Sequence, residues 1–329
     1  MRPGLARFLA KPNGKFGLLL VGFFFLIAIL APILANDAPI YLRVRGKSYF
    51  PIFTRELPPE IADGMEWRTW IALKEYDAII MPPVPFHPTK VWLDEALLPP
   101  GEKGHILGTD NLGYDVLARI IHGTQVALSV GIVAMGIAAV IGIALGSLAG
   151  YFGGTTDMVI SRLIEIVICF PLLFLILTVL AFLPPSIYNI MIVIGITGWT
   201  GIARLVRGEI LKVREMDYVK AARASGLPDT RILWRHVLPN ALAPVFVSIS
   251  FGIAGSILTE TALSFLGFGV QPPDPSWGQI LSLAREYPSR LWLTVFPGLA
   301  IFITVTGYNM VGEALRDALD PRLARTGMK

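Results

Sequence analysis

The sequence has little charge and almost no cysteine. Only 16% of its 329 residues are charged, whereas soluble domains carry about 25%. The single cysteine, Cys169, cannot form a disulfide within the chain. Charge is absent altogether from four long windows, 16–35, 120–156, 166–203 and 291–312. Such a composition excludes an ordinary soluble domain.

The sequence also lacks the motifs of the common enzyme classes. It contains no G-x-x-x-x-G-K-[ST] phosphate loop, no G-x-S-x-G elbow and no H-E-x-x-H pair. The absence of the first motif excludes nucleotide hydrolysis by means of a phosphate loop. The four histidines (His87, His105, His122 and His236) lie in separate segments without ligand spacing. We therefore assign no catalytic residue, no metal site and no cofactor to this chain.

What the sequence does contain is a set of apolar runs long enough to cross a membrane. A spanning helix needs about 20 apolar residues, because lipid offers no hydrogen-bond partner to the backbone. The window 166–203 is too long for one span, and its prolines at 184–185 predict a turn. The predicted spans lie near 16–35, 125–150, 157–182, 187–206, 241–267 and 291–312. The fold class is thus an all-α polytopic membrane protein with six transmembrane helices.

The charge distribution predicts which side of the membrane each loop occupies. The first 15 residues contain Arg2, Arg7, Lys11 and Lys15 and no acid, and the 204–235 segment is also rich in Lys and Arg. Since basic residues concentrate on cytoplasmic sides, both termini and this loop are predicted inside and 36–120 outside. The net charge of +4 is then a topology signal, with lipid and not nucleic acid as the partner.

The first span could be read as a cleavable signal peptide, because basic residues precede it. Signal h-regions run to about 7–15 residues, however, and this apolar run is longer. We expect it to remain as an anchor. The chain then divides into an N-terminal segment with the first span (1–35), an extracytoplasmic segment (36–122) and a five-helix core (123–329).

The extracytoplasmic segment is rich in proline and tryptophan, which favours an irregular cap on the membrane surface over an independent domain. At its end, Asp110 or Asn111 is predicted to cap an interfacial helix that leads into the second span. The second span contains Gly142, Gly146 and Gly150 at four-residue steps. Such a ladder lets another helix approach closely, so we expect helix packing there.

Two acidic residues fall inside predicted spans. A charge at membrane depth is costly unless it is paired, hydrated or near an interface. Arg162 lies three residues before Glu165, on the same helical face, so an ion pair between them is the favoured interpretation. Glu260 has no basic neighbour in its span and could face water in a translocation path. Both are candidate pathway residues.

The loop at 207–240 is polar although apolar spans flank it. Helix formers run from Tyr218 to Ala224, and Gly226 stands where a left-handed helix cap would fall. Pro228 stops continuation, and Asp229 is predicted to cap a second short helix that ends before Pro239. The physics alone fits an ordinary connector and a docking helix equally well.

The same loop resembles the cytoplasmic signature of ABC importer permeases, E-A-A, three residues, G, nine residues, I-x-L-P. The matching residues here are Lys220, Ala221, Ala222, Gly226, His236, Leu238 and Pro239. Lys220 replaces the usual Glu, and His236 replaces the usual Ile in a form similar to the peptide-importer branch. Further stretches within 105–329 resemble dipeptide and oligopeptide permease subunits, and the segment 35–53 resembles the insert of a branch that includes microcin C importers.

The resemblance implies a type I ABC importer permease fold and a specific set of partners. These are a second homologous permease, two cytoplasmic ATPase subunits that bind ATP and Mg, and an extracytoplasmic substrate-binding protein, in the bacterial inner membrane. It also implies that a coupling helix docks on an ATPase through Lys220, Ala221, Ala222, Ser225, Gly226 and Leu227. The resemblance further implies that the residues supporting the loop are Asp229, His236, Leu238 and Pro239.

The implied cargo is a peptide, and import of nickel chelates or another small solute is the alternative within the same machinery. A proton-coupled secondary transporter is the alternative of another class. It would need chains of intramembrane acids and repeated halves, which two scattered glutamates and six spans support poorly. A membrane-embedded enzyme would need clustered polar residues at membrane depth, which the sequence does not show.

Overall fold

The computed structural model describes residues 8–9, 11–54, 58, 61 and 64–319. Arg2, Arg7 and the C-terminal tail from residue 320 onward, which contributed to the topology prediction, lie outside the described residues. Helices dominate the described chain. The long ones are α1 (Pro12–Leu34), α3 (Val116–Phe152), α4 (Gly154–Cys169), α5 (Leu172–Leu180), α6 (Ile187–Val213), α10 (Ala243–Phe265) and α12 (Trp292–Leu319).

Shorter elements fill the segments between the long helices. The strands are β1 (Tyr41–Val44), β2 (Lys47–Tyr49) and β3 (Ala78–Ile80). The short helices are α2 (Trp67–Ala72), α7 (Asp217–Ala224), α8 (Asp229–Ile232), α9 (Leu238–Ala241) and α11 (Trp277–Ser282). A π-helical turn covers Leu233–Val237, and 3₁₀ turns cover Leu93–Glu95, Glu102–Gly104 and Leu283–Arg285.

Among the described residues, five helices are long and apolar enough to cross a membrane. The pair α4 and α5 makes a sixth span if its two parts are counted together, but they bend by 83°. The break falls at Phe170 and Pro171, and proline has no N–H with which to continue a helix. The predicted continuous span at 157–182 is therefore wrong in shape. The predicted turn at 184–185 is confirmed, since α6 begins just beyond it.

One compact unit comprises the described residues within Met1–Gly22, Ser129–Leu263 and Phe302–Lys329. The predicted glycine ladder lies within it and packs against α6. A Cβ atom added at Gly146 would lie 2.5 Å from the carbonyl oxygen of Ala203, and one at Gly150 would lie 2.8 Å from that of Arg207. This spacing requires glycine, so the prediction of close helix packing is confirmed.

The second unit comprises Phe23–Leu128 and Ser264–Ile301. Its strands, all within 41–80, form a three-stranded antiparallel sheet in the order β2-β1-β3. Leu42 and Val44 of β1 pack with Trp67 and Trp70 of α2 in a buried cluster. The prediction of an irregular cap is wrong, because strands of three or four residues can alternate buried and exposed positions without producing a long pattern.

The helix predicted to lead into the second span is present, but the predicted cap at Asp110 or Asn111 is wrong. The helix α3 begins at Val116 and continues without a break. Its cap is Asp115, whose Oδ1 accepts a hydrogen bond from the N–H of Ala118 at 2.6 Å. Asp110 instead closes a turn, since its Oδ1 accepts from the N–H groups of Leu112 and Tyr114.

A buried charged cluster ties this segment together around Glu95. Arg68 donates to both carboxylate oxygens of Glu95, at 2.8 and 2.6 Å. His105, fully buried, lies 3.2 Å from Glu95 through Nε2 and 2.8 Å from Asp115 through Nδ1. The hydrogen bonds from Arg68 lower the pKa of Glu95 to about 2. Burial lowers the pKa of His105, but the hydrogen bonds with Asp115 and Glu95 outweigh it and raise that pKa.

Candidate docking site in the 207–240 loop

The short helix α7 is attached to the rest of the chain along one side only. Val219 is 1% exposed and packs in a buried cluster with Val213, Ile232 and Leu238. At about 100° per residue, Ala221 and Ala224 point away from Val219, and both are exposed. The helix therefore presents a small-residue face outward while its opposite side is fixed to α6, α8 and α9.

The end of α7 is set by a left-handed residue, as the sequence predicts. Gly226 has φ +77°, and its N–H donates to the carbonyl of Arg223 at 3.0 Å. The N–H of Leu227 then reaches back to the carbonyl of Ala222 at 3.3 Å. These two bonds close the helix in the manner of a glycine cap, and they separate α7 sharply from α8.

The predicted docking residues fall into two groups. Lys220, Ala221, Ser225 and Gly226 are exposed. In contrast, Ala222 and Leu227 are partly buried against the core cluster, so their side chains support the helix more than they extend the docking face. Exposed apolar side chains border this face, namely Met216 at 47%, Tyr218 at 42% and Trp234 at 59%.

The charges on the surface are only loosely paired. Lys220 lies 3.8 Å from Glu215, and both side chains are more than half exposed. An exposed pair of that geometry contributes little stability. Lys220 is thus free to meet a charged group on a partner, although it replaces the acidic residue of the signature.

Tyr151 links the loop to the end of α3, and sequence reasoning missed it. Its hydroxyl donates to Oδ1 of Asp229 at 2.6 Å, and Arg223 lies 3.4 Å from the same hydroxyl. Arg214 adds a second link by donating to the carbonyls of Gly150 and Tyr151 at 3.0 and 3.3 Å. The position of Tyr151 directly after the glycine ladder is the only sequence signal that marked it.

The predicted support residues take roles that differ from those expected. Asp229 does not cap α8, since Pro228 occupies the cap position and the Asp229 carboxylate accepts from Tyr151 instead. The helical path that begins with α8 continues through the π-helical turn into α9, so it does not end before Pro239, which lies in the first turn of α9. Leu238 is buried in the core cluster, and the backbone carbonyl of His236 accepts from Asn240 at 2.7 Å.

The two intramembrane acids lie in different surroundings. Glu165 pairs with Arg162 at 2.6 Å, as predicted, and its side chain is 59% exposed. Glu260 is 1% exposed. The expectation that Glu260 faces water does not fit this structure, in which its helix turns that carboxylate toward protein.

The family described as the binding-protein-dependent transport system inner membrane component matches residues 142–325 of this chain. This range is more than half of the chain and includes the whole 207–240 loop. The chain belongs to this family. It is an inner membrane component with several apolar helices, and the family is one of transport subunits that are not themselves catalytic. The resemblance read from the loop signature is confirmed.

Individual relatives of this transport family are similar over most of their length. The dipeptide transport system permease protein of Alkalihalophilus pseudofirmus is 42% identical over 220 residues, which cover 67% of this chain and 72% of that protein. The glutathione transport system permease protein of Pectobacterium atrosepticum is 41% identical over 220 residues, covering 67% and 73%. The oligopeptide permease of Bacillus subtilis is 37% identical over 230 residues, covering 69% and 74%.

The fold is also that of solved ABC importer permeases. An inward-facing MetNI methionine ABC transporter superposes with a TM-score of 0.53 at 18% identity, covering 61% of this chain and 97% of the other. At this identity the likeness concerns the fold alone. The family, the helical architecture and the ABC permease fold thus agree, while the finer likeness to the microcin C branch stays a prediction.

Proposed function

We propose that this chain is a transmembrane permease subunit of an ATP-driven importer that moves peptides into the cell. Peptide cargo is supported by three relatives that are about 40% identical to this chain. Their names describe permeases for dipeptides, glutathione and oligopeptides. Glutathione is itself a small peptide, so the three names describe one substrate class. No observation in the structure favours nickel chelates.

The proposed assembly contains a second homologous permease, two ATPase subunits and an extracytoplasmic substrate-binding protein. The chain contains no phosphate loop, so ATP and Mg are assigned to the ATPase subunits and no cofactor to this chain. The basic 204–235 loop supports an orientation with that loop and both termini in the cytoplasm. The sheet-bearing segment at 36–115 would then face the substrate-binding protein.

The observation that carries the proposal is the one-sided attachment of α7. A helix that is fixed through Val219 and exposes Ala221 and Ala224 offers another protein a surface that its backbone can approach closely. Motion of the partner would pass through the core cluster to α6, and through Tyr151 and Arg214 to the end of α3. The loop would thereby convert ATPase closure into movement of the spanning helices.

Ala221 allows this docking to be tested with little effect on the chain itself. Ala221→Glu places a carboxylate on the exposed face, where it removes no contact inside the chain. We expect this variant to lose co-purification with the ATPase subunits and to lose ATP-driven peptide uptake in liposomes that contain the assembled importer. Ala221→Ser is the matched control, since it keeps a small side chain at the same position and should retain both.

The cargo is tested separately with the wild-type complex and its cognate binding protein. ATP-dependent uptake of a labelled dipeptide or tripeptide is the expected result. ATP-dependent uptake of a nickel chelate with no uptake of any peptide would contradict the peptide assignment. Full uptake by the Ala221→Glu variant would contradict the docking assignment and leave the cargo assignment untouched.

A further inference from the structure

A groove lined by both apolar and polar side chains lies between α4 and α6, away from the docking site, and Ile164 and Ile168 supply part of its apolar lining. It has a volume of about 670 Å³, and its polar lining consists of Ser161, Glu165, Cys169, Arg204 and Arg207. Small-molecule sites usually measure about 300–1,000 Å³, so the groove has room for a short peptide. Its α4 residues recur every four positions and therefore form one stripe along the helix.

The groove extends from Arg204, near the end of the predicted span 187–206, along α4 past Glu165 to Cys169, within the predicted span 157–182. At a rise of about 1.5 Å per residue, Glu165 is about 16 Å from the start of α4 at Gly154, and Arg204 is about 13 Å from the end of α6 at Val213. Cys169 is about 6 Å deeper than Glu165 by the same rise. Charged side chains at such a depth are expected to face protein or water, because lipid would penalise them.

Of the charged side chains that line the groove, Arg207 and Glu165 have ion-pair partners and Arg204 has none among the described residues. Arg207 forms two hydrogen bonds with the carboxylate of Asp157, and Glu165 accepts from Arg162 at 2.6 Å. Arg204 is exposed in the groove. Among the described residues it has neither a hydrogen bond nor an ion pair. The groove thus carries a single uncompensated positive charge.

We propose that this groove lines the translocation path and that Arg204 contacts the carboxylate of the passing peptide. The proposal rests on the proposed function for the identity of the cargo. A guanidinium presents a planar fork of donors that matches a carboxylate. The neighbouring polar groups are already paired, which leaves Arg204 as the group in the groove that responds to a free anion.

Cys169 gives a direct probe of the groove because it is the only cysteine of the chain. In the assembled importer in inside-out vesicles, it should react with an anionic sulfonatoethyl and a cationic trimethylammonium-ethyl methanethiosulfonate. A unit charge at about 10 Å in water changes each rate by about twofold in opposite directions. At low salt, Arg204→Gln should therefore lower the anion-to-cation rate ratio about fourfold. Arg204→Lys should keep it, and Cys169→Ser should abolish labelling of this chain.

The cargo contact is measured with peptides that differ only at the carboxyl end. A free peptide in excess should slow the modification of wild-type Cys169 more than its C-terminal amide does. In uptake assays with one binding protein throughout, Arg204→Gln should lower the ratio of peptide to amide transport at least threefold, with Arg204→Lys close to wild type. The protection experiment uses the native chain, so it decides the question even where a variant fails to assemble.

Three results would overturn the proposal. Cys169 that is inert to both reagents, with and without ATP, would mean that lipid or a partner helix covers the groove. An unchanged rate ratio in Arg204→Gln would mean that Arg204 does not set its charge. Equal protection by peptide and amide would mean that Arg204 does not contact the carboxylate. Absence of any ATP-dependent peptide uptake by the wild type would instead refute the proposed cargo, since thiol labelling does not depend on it.

Discussion

Gly226→Val should loosen the end of α7 without creating a clash. A Cβ atom at Gly226 would meet nothing within 4 Å, but the residue has φ +77°. A non-glycine residue in this region costs about 1–3 kcal/mol, and a β-branched one lies at the upper end. The whole penalty is therefore conformational. This penalty weakens the two backbone hydrogen bonds from Gly226 and Leu227 that close α7.

This penalty can be measured as local opening. A cost of about 1–3 kcal/mol corresponds to about five- to 150-fold faster amide exchange at positions 226 and 227. Hydrogen exchange followed by mass spectrometry of the purified complex would report it, together with a loss of ATP-driven uptake. Gly226→Asn is the control, because asparagine tolerates the left-handed conformation. Unchanged exchange in Gly226→Val, or faster exchange with full uptake, would refute the reasoning.

Three further predictions follow from contacts elsewhere in the chain. Glu95→Gln should destabilise the segment around the Glu95 cluster by up to about 3 kcal/mol, because the pKa of Glu95 is held at about 2 instead of 4.5 and each pKa unit corresponds to about 1.4 kcal/mol. Because the pKa of Glu95 is lowered, the melting temperature of the wild type should fall as pH drops from 4.5 toward 2. The pKa of His105 is raised from 6.5, so the stabilisation that His105 provides is present below pH 6.5 and is lost as pH rises through the raised value. If the melting temperature of Glu95→Gln fell at acid pH as much as that of the wild type, the stabilising role of Glu95 would be contradicted. Tyr151→Phe removes a hydrogen bond to the Asp229 carboxylate worth about 1.5–3 kcal/mol and should raise the ATP consumed per peptide while leaving assembly intact. An unchanged ratio of ATP to peptide would exclude this link. Gly146→Leu should cost more than about 1–3 kcal/mol of overpacking, seen as a lower melting temperature in detergent, and a stable variant would contradict the close approach of α3 and α6.

The spanning helices could be predicted from sequence because lipid imposes a strong and simple condition on them. Every backbone polar group must be satisfied within the segment, so long charge-free runs such as 16–35 and 291–312 mark helices directly. The glycine ladder and the left-handed turn at Gly226 were predictable for a related reason. Each depends on the absence of a side chain, which the sequence states outright.

Features that depend on partners distant in sequence were not predictable. The strand Tyr41–Val44 pairs with residues up to 80, and its short alternation is lost among prolines. Asp229 looked like a helix cap because caps are local, whereas its actual partner, Tyr151, lies 78 positions away. The bend at Pro171 was missed since proline is tolerated inside some spans, and only tertiary packing decides whether it breaks the helix.

Photo-crosslinking from α7 can show whether ATPase subunits contact this chain at the proposed docking face. A benzophenone maleimide would be placed at Lys220→Cys, on the rim of the docking face, in a Cys169→Ser chain within the purified importer. Ser48→Cys, exposed on β2, serves as the control. We predict capture of an ATPase subunit from position 220 and none from position 48. An importer that still takes up peptide but yields no ATPase capture from position 220 would contradict the account.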